Sequence, residues 1–454
     1  MKETGLPWLN EAPEHWKLLP NRALMRQRKV LVGELHTDYR LLSLTKQGVI
    51  VRDITGGKGK FSANMGTFQE VRIGDLIFCL FDVPETPRTV GLSPHDGMIT
   101  GAYAVFECPD PLLSAFLDLF YRAMDDRKLL SPLYSGLRNT IPTPRLLSTK
   151  TPVPPSAEQA AIVRFLNHVD RRILRAIRAK QKLIALLNEQ KQTVIHRSVT
   201  RGLDPDVRLR RSGVDSLGDV PEHWHVVRLK NILRAIDERS TTGAETLLSL
   251  RRDHGVVRFA EHFSRPPQGS TAVGYKLVAP SQIVVNRLQA NNGLIFASEI
   301  SGVISPDYSV FSVAGSASPE YVTAVLRTPN YRAHFRRVAT GLGTGTAGFL
   351  RLYDDDLLTT RIALPPYVEQ RRIMASLDAG TAKTIDAIDH AEREVTLLGE
   401  LRVRLIADVV TGKLDVRAVS ARLPDELDES ELLDEIDLEQ WDETEVDDLE
   451  SVEA

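Results

Sequence analysis

The sequence predicts an α+β protein: two tandem mixed α/β domains, each followed by a long helix, the two helices pairing as an antiparallel coiled coil. Three observations predict this. The first is a set of four landmarks that recur in the same order. Pro-Glu-His-Trp stands at residues 13–16 and 221–224, and Leu-Leu-Ser-Leu at 41–44 and 247–250. Gly97-Met-Ile-Thr-Gly-Ala-Tyr103-Ala-Val-Phe106 matches Gly302-Val-Ile-Ser-Pro-Asp-Tyr308-Ser-Val-Phe311, and Pro154-Pro155-Ser-Ala-Glu158-Gln159 matches Pro365-Pro366-Tyr-Val-Glu369-Gln370. The offsets are 208, 206, 205 and 211 residues, so the repeating unit is a domain and not a solenoid repeat. The second is a pair of proline-free stretches, residues 159–200 and 370–411, each 42 long and apolar at helical spacing. The third is the set of short apolar runs, bounded by Gly, Pro and Asp, that precedes each helix.

In the first copy, residues 48–51, 75–81 and 102–106 read as strands, and residues 112–124 as a short helix. The second copy repeats the plan, with strands at 283–285 and 308–313 and helix at 320–338. After each Pro-Pro pair the period becomes helical, and 42 residues amount to about 60 Å of helix. One heptad register fits both arms. Leu166, Ile173, Leu187 and Val194, with Ile177 and Ile184, are the core candidates of the first. Leu377, Ile388, Val395, Leu398, Leu405 and Val409 are those of the second. Lys180, Lys191 and Arg402 interrupt the register; the aligned pair Lys191 and Arg402 could fix register or face DNA, with a side chain snorkelling at a solvated seam as the favoured reading. Equal arm lengths suggest that the arms pair with each other. The boundaries that follow are 1–153 and 205–364 for the domains, 154–204 and 365–416 for the arms, and 417–454 for an acidic tail.

A chain of 454 residues that is 42% hydrophobic has ample material for several cores. No apolar run approaches the ~18 residues of a membrane span, and no basic-then-apolar leader opens the chain. A soluble, cytoplasmic protein is expected. Cys79 and Cys108 are its only cysteines, too few for a disulfide framework or a zinc cluster, and read as small buried hydrophobes. The net charge of −3 conceals an asymmetry. Residues 425–453 hold sixteen Asp and Glu and no Lys or Arg; taking them from the 60 acidic residues leaves 44 against 57 basic, a net +13. Such a body suits phosphates, with charges that simply solvate the surface as the alternative, and the tail reads as disordered.

With these residues in view, the chain resembles the DNA-specificity subunits of type I restriction-modification systems. The resemblance runs from the first Pro-Glu-His-Trp through the second arm and leaves out the tail. Its most specific parts are the paired Pro-Glu-His-Trp elements, the segment ending at Tyr308, and the two Pro-Pro-x-x-Glu-Gln helix starts at Pro154 and Pro365. The resemblance implies two target recognition domains, each reading one half of a split site in double-stranded DNA, with the arms setting the gap. It implies as partners two adenine-N6 methyltransferase subunits and an ATP-driven restriction and translocase subunit. S-adenosylmethionine, ATP and magnesium then belong to those partners, and no cofactor to this chain. Because the two copies match only at landmarks, the expected target is asymmetric.

DNA-contacting candidates are loop positions where backbone donors and Lys or Arg hold phosphates and Arg, Asn or Gln reach base edges. In the first domain these are Lys58, Lys60, Arg138 and Asn139; in the second, Arg287, Gln289, Asn291, Asn292, Thr344, Thr346 and Arg351. A solvated turn is the plain alternative for the four of the first domain.

Catalytic motifs are wanting. Gly343-Thr-Gly345-Thr-Ala-Gly348 has dinucleotide-binding spacing, but it follows a helical segment and does not open a helix. Pro365-Pro366-Tyr367 resembles part of an adenine methyltransferase tetrad, yet Leu364 precedes it and offers no acceptor for an amino group. Gly59-Lys60 is followed by Phe61, so there is no Walker loop. His15 and His223, each beside Trp, read as structural elements packing domain against arm and not as metal ligands. An autonomous methyltransferase or nuclease, and a coiled-coil scaffold without sequence specificity, are the alternatives to a non-catalytic recognition subunit. Motif absence counts against the first, and the basic body with two mixed domains against the second.

Overall fold

The computed structural model describes residues 1–52, 65–214, 217–252, 254–263, 271–342 and 349–424. Five helices organise it: α1 (Pro111–Asp126), α2 (Ser156–Arg201), α3 (Pro319–Leu326), α4 (Pro329–Val338) and α5 (Tyr367–Val410). The two predicted arms are α2 and α5, of 46 and 44 residues. The chain divides into two compact units, one of residues 1–179 with those from 394 onward, the other of residues 180–393.

In the first unit a four-stranded antiparallel sheet has the order Arg26–Arg28, Tyr103–Glu107, Leu76–Cys79, Val90–Leu92. Leu76, Ile77 and Phe78 are fully buried, as a strand covered on both faces requires. α1 starts after Asp110, whose carboxylate accepts from the Leu112 amide at 2.9 Å and caps the helix, with Pro111 in its first turn. Its apolar face sends Phe116, Phe120 and Tyr121 into the core beside Phe78 and Phe106. The same core takes Ile162, Phe165 and Leu166 from the start of α2, and Ile406, Ala407, Val409 and Val410 from the end of α5.

The second unit repeats this plan. Its sheet order is Leu233–Ile236, Tyr308–Val313, Ile283–Asn286, Ile295–Ala297, with Tyr308 opposite Asn286 as Tyr103 is opposite Cys79. α3, capped by Ser318, and α4 stand where the first unit has α1. Val199 from the end of α2 shares this core with Ile373 and Leu377 from the start of α5.

The landmarks recur because they touch. In each unit the strand that follows Pro-Glu-His-Trp pairs antiparallel with the last domain strand, Lys17–Pro20 with Lys150–Val153 and His225–Arg228 with Arg361–Leu364. This pairing carries Pro-Glu-His-Trp to the Pro-Pro-x-x-Glu-Gln helix start. The Leu-Leu-Ser-Leu segment opens a hairpin that lies against the Gly-x-Ile strand, through the parallel bridges Leu41 to Met98 and Leu247 to Val303. Glycine is needed there. A Cβ on Gly97 would stand 2.5 Å from the Arg40 carbonyl oxygen, and one on Gly302 would stand 2.7 Å from Leu248 Cγ.

Along the arms many of the buried positions follow the heptad. Leu166, Ile173, Leu377, Ile388 and Val409 are buried, and Ile177, Ile184, Leu187, Val395, Leu398 and Leu405 are half-buried. Val194 departs from the expected core: it is 40% exposed, and Ile195 and Val199, four residues apart, pack instead. A straight helix drifts about 20° per heptad, so the buried stripe moves one residue on by that point. Arg402 also departs from the expectation of a snorkelling side chain, because it makes a two-pronged ion pair with Asp170, Nη2 to Oδ2 at 3.0 Å.

Candidate nucleic-acid interface

Lys58, Lys60, Thr344 and Thr346 lie outside the described residues, as does the Gly-x-Gly-x-x-Gly stretch. The first-domain pair, Arg138 and Asn139, sits on a tight turn closed by reciprocal amide bonds between Ser135 and Thr140, at 2.9 and 3.0 Å. Gly136 and Asn139 are left-handed there, with φ of 71° and 43°, which Gly and Asn adopt at least cost. Leu137 projects fully exposed from its tip. Arg138 is paired with Asp82 in two bonds, Nε at 3.3 Å, and lies over the Phe81 ring. Asn139 is exposed.

In the second domain, Arg287 and Arg351 converge on one carboxylate. Arg287 donates to the Asp307 and Pro306 carbonyls at 2.7 and 2.9 Å, and Arg351 Nη2 lies 3.4 Å from Asp307 Oδ1. With Arg287 side-chain exposure at 18%, its fork is filled by the Pro306-Asp307 turn. Its Nε and Nη2 brace that turn. Gln289, Asn291 and Asn292 come together on the 3-10 turn Ala290–Asn292, all half-buried, with Asn292 Nδ2 bonded to Gln289 Oε1 at 2.6 Å. Gly293 ends that turn with φ of 85°.

Sequence reading passed over the groups beside this turn. Arg332, on α4, lays its side chain across it, with Nε 3.5 Å from the Asn291 carbonyl oxygen. Burial lowers the pKa of the Arg332 guanidinium, and the nearby charges of Arg336 and Arg252 lower it further. The one sequence signal was an absence: α4 contains three Arg and no Asp or Glu.

The remaining expectations concern other chemistry. Pro365 and Pro366 lie between a buried strand end at Leu364 and the start of α5, and Gln370 Nε2 donates to the Pro365 carbonyl at 2.8 Å, so this pair forms a helix start. His15 Nε2 lies 2.7 Å from Glu158 Oε2 and His223 Nε2 2.8 Å from Glu369 Oε2, each histidine tying its domain to the helix that follows. Among the described residues, no group of three or more His, Cys, Asp or Glu is placed to hold a metal ion, and no helix is long and apolar enough to cross a membrane. Cys79 is buried and Cys108 half-buried.

No protein-family model matches the chain. It is 24% identical over 285 residues to the putative type I restriction enzyme MjaX specificity subunit of Methanocaldococcus jannaschii, a match covering 62% of this chain and 63% of that protein. The match thus spans less than two thirds of the relative's length. A solved chain described under complex assembly and conformational transition of the type I R-M system superposes with a TM-score of 0.59 at 16% identity, covering 89% of this chain and 100% of that one. The HsdS subunit from Thermoanaerobacter tengcongensis aligns with a TM-score of 0.41 at 17% identity, over 91% of this chain and 100% of that one. In sequence the chain is thus similar to a type I restriction enzyme specificity subunit, and it shares the fold of a solved chain of a type I R-M system.

Proposed function

We propose that the chain is the sequence-reading subunit of a type I restriction-modification complex. Each domain reads one half of an asymmetric, split site in double-stranded DNA. Two adenine-N6 methyltransferase subunits and an ATP-driven restriction subunit are its partners, and they supply S-adenosylmethionine, ATP and magnesium chemistry while this chain catalyses nothing. The observation that carries this reading is the repeated scaffold with unrepeated contact loops: one sheet order and one set of landmarks, but Arg138 and Asn139 on the first tip against Gln289, Asn291 and Asn292 on the second turn.

Two linked readers bind a split site with an effective concentration set by their connector. The arms are proposed as that connector, paired antiparallel; in support, the start of α2 packs with the end of α5 in one unit, and the end of α2 with the start of α5 in the other. Half-sites about one DNA turn apart, roughly 34–36 Å, are expected. Methylome sequencing with and without the gene tests the reading. Loss of one bipartite, non-palindromic N6-methyladenine motif is the expected result; an unchanged methylome overturns recognition, and a palindromic motif overturns the asymmetric division of labour.

A further inference from the structure

We infer that α4 and the adjoining Gln289–Gly293 turn form the backbone-gripping face of the second domain, with Arg252, Arg332 and Arg336 holding DNA phosphates beside the amides of Gln289, Asn291 and Asn292. This rests on the DNA-recognition reading and adds to it the residues that supply sequence-independent affinity.

Three observations converge. The first is a concentration of like charge. Arg332 is half-buried against the turn, and Arg252 and Arg336, both exposed, are near enough to disfavour its charged form. Arg332 and Arg336 are four residues apart on one helix face, where like charges disfavour the helix. None of the three makes an ion pair with a carboxylate among the described residues. A fold that holds these guanidiniums together with no carboxylate paired to them among the described residues leaves room for an external polyanion. Favourable interaction with the helix C-terminus accounts for Arg336 and Arg337 in the last turn of α4. It does not account for Arg332, one turn earlier, or for Arg252 on another element.

The second is the contrast with the matching place in the first domain. There α1 carries Asp118, Asp125 and Asp126, and these neutralise Arg122 at 3.4 Å, Lys128 at 2.8 Å and Arg88 at 2.7 Å. The scaffold is the same and the sign of the helix is reversed, so cations on α4 that pair with no carboxylate among the described residues are not a requirement of the fold.

The third is the company they keep. The Arg332 side chain runs along Gly293, where a Cβ would stand 3.5 Å from Arg332 Cδ, and its Nε reaches Asn291. This sets a phosphate-binding fork beside side-chain amides able to donate and accept at base edges, the usual division between positioning and reading. An acidic protein surface would gain from the arginines but would have no particular use for that amide turn.

The test uses the full chain and a 30-base-pair duplex of arbitrary sequence, with affinity measured by fluorescence anisotropy over a salt series. Each phosphate contact contributes about 0.9 to the slope of log K against log salt. The R332Q/R336Q double variant is expected to lower that slope by about 1.8 and affinity roughly 10- to 100-fold at 0.1 M salt, on any sequence. R336Q alone, an exposed change that leaves the fold intact, is expected to lower the slope by about 0.9, and R332K/R336K to keep most of it. R22Q, an exposed arginine of the first domain, serves as the control. A wild-type chain that leaves the duplex free at low salt counts against DNA recognition itself. A wild-type chain that binds, with Gln variants unchanged in slope, overturns this inference alone. If deleting residues 425–454 strengthens wild-type binding, and the Gln variants bind the duplex as wild type but lose that response, the face is a seat for the acidic tail and the inference is overturned.

Discussion

His223 Nε2 and Glu369 Oε2 stand 2.8 Å apart although 146 positions separate them, and Glu369 Oε1 also accepts from Trp224 Nε1 at 3.1 Å. One carboxylate at a helix start thus satisfies two donors of the Pro-Glu-His-Trp motif. In the other unit Glu158 holds His15 at 2.7 Å, but the buried Trp16 Nε1 has no partner. The two clasps are therefore unequal. Glu369→Ala would strand a buried indole N–H, a loss of about 1–3 kcal/mol. Glu158→Ala would remove only the bond to a half-exposed histidine, worth about 0–1 kcal/mol. Urea unfolding of the full chain should give the larger drop in midpoint for Glu369→Ala; equal drops would refute the asymmetry.

That clasp was half legible in the sequence. The motifs announced a duplication, and their histidines read as packing elements, but nothing local says that residue 223 meets residue 369. The strand pairing of His225–Arg228 with Arg361–Leu364 brings them together. The helices were legible because proline is absent and periodicity long; the strands, because they are short apolar runs between breakers. Contacts made by tertiary approach were not. Nothing local says that Arg287 and Arg351 meet Asp307, and Arg252 acquires meaning only beside Arg332. Val194 was misplaced for a different reason, the drift between a heptad and a straight helix.

Gly302 marks where backbone meets side chain. Its ideal Cβ would fall 2.7 Å from Leu248 Cγ and closer still to the Thr246 carbonyl oxygen, and Gly97 meets Arg40 and Leu42 in the same way. Gly302→Ala must push the Leu-Leu-Ser-Leu strand outward, at a cost of about 1–3 kcal/mol. Gly380, inside α5 with nothing within 4 Å of its ideal Cβ, is the contrasting case. Gly380→Ala should stabilise by about 1 kcal/mol through helix propensity. Thermal unfolding should shift in opposite directions for the two variants. A shift in the same direction would mean that the strand has room to yield.

Arg402 binds Asp170 within one unit, with side-chain exposures of 21% and 24%. The planar fork matches the carboxylate, so Arg402→Lys is not a conservative change and should lose one of the two bonds. Arg402→Ala leaves a partly covered carboxylate alone and should cost about 1–2 kcal/mol, less than a fully buried pair because water still reaches it. A double-mutant cycle with Asp170→Ala measures the coupling. Additive losses would show that the pair holds no mutual energy and that Arg402 acts through its stem.

His196 and His334 should make the protein less stable in mild acid. Burial is the main cause that lowers both imidazole pKa values below 6.5, helped by the charge of Arg201 for His196 and of Arg337 for His334. His196 Nδ1 is buried without a partner, and His334 Nε2 has only the Thr360 hydroxyl, at 3.3 Å. With the folded value below the unfolded one, the unfolded chain binds more protons in the window between them. Stability is therefore unaffected above the unfolded value, falls as pH drops through about 6.5, and levels off below the folded value. Asp75 and Asp118 oppose this trend, because burial raises their pKa values and folding then takes up protons as pH falls. The histidine contribution is read from the difference between wild type and His196→Asn/His334→Asn in urea midpoints from pH 5 to 8. The double variant should lose less stability on acidification than the wild type, and parallel curves would show that neither imidazole is held neutral by the fold.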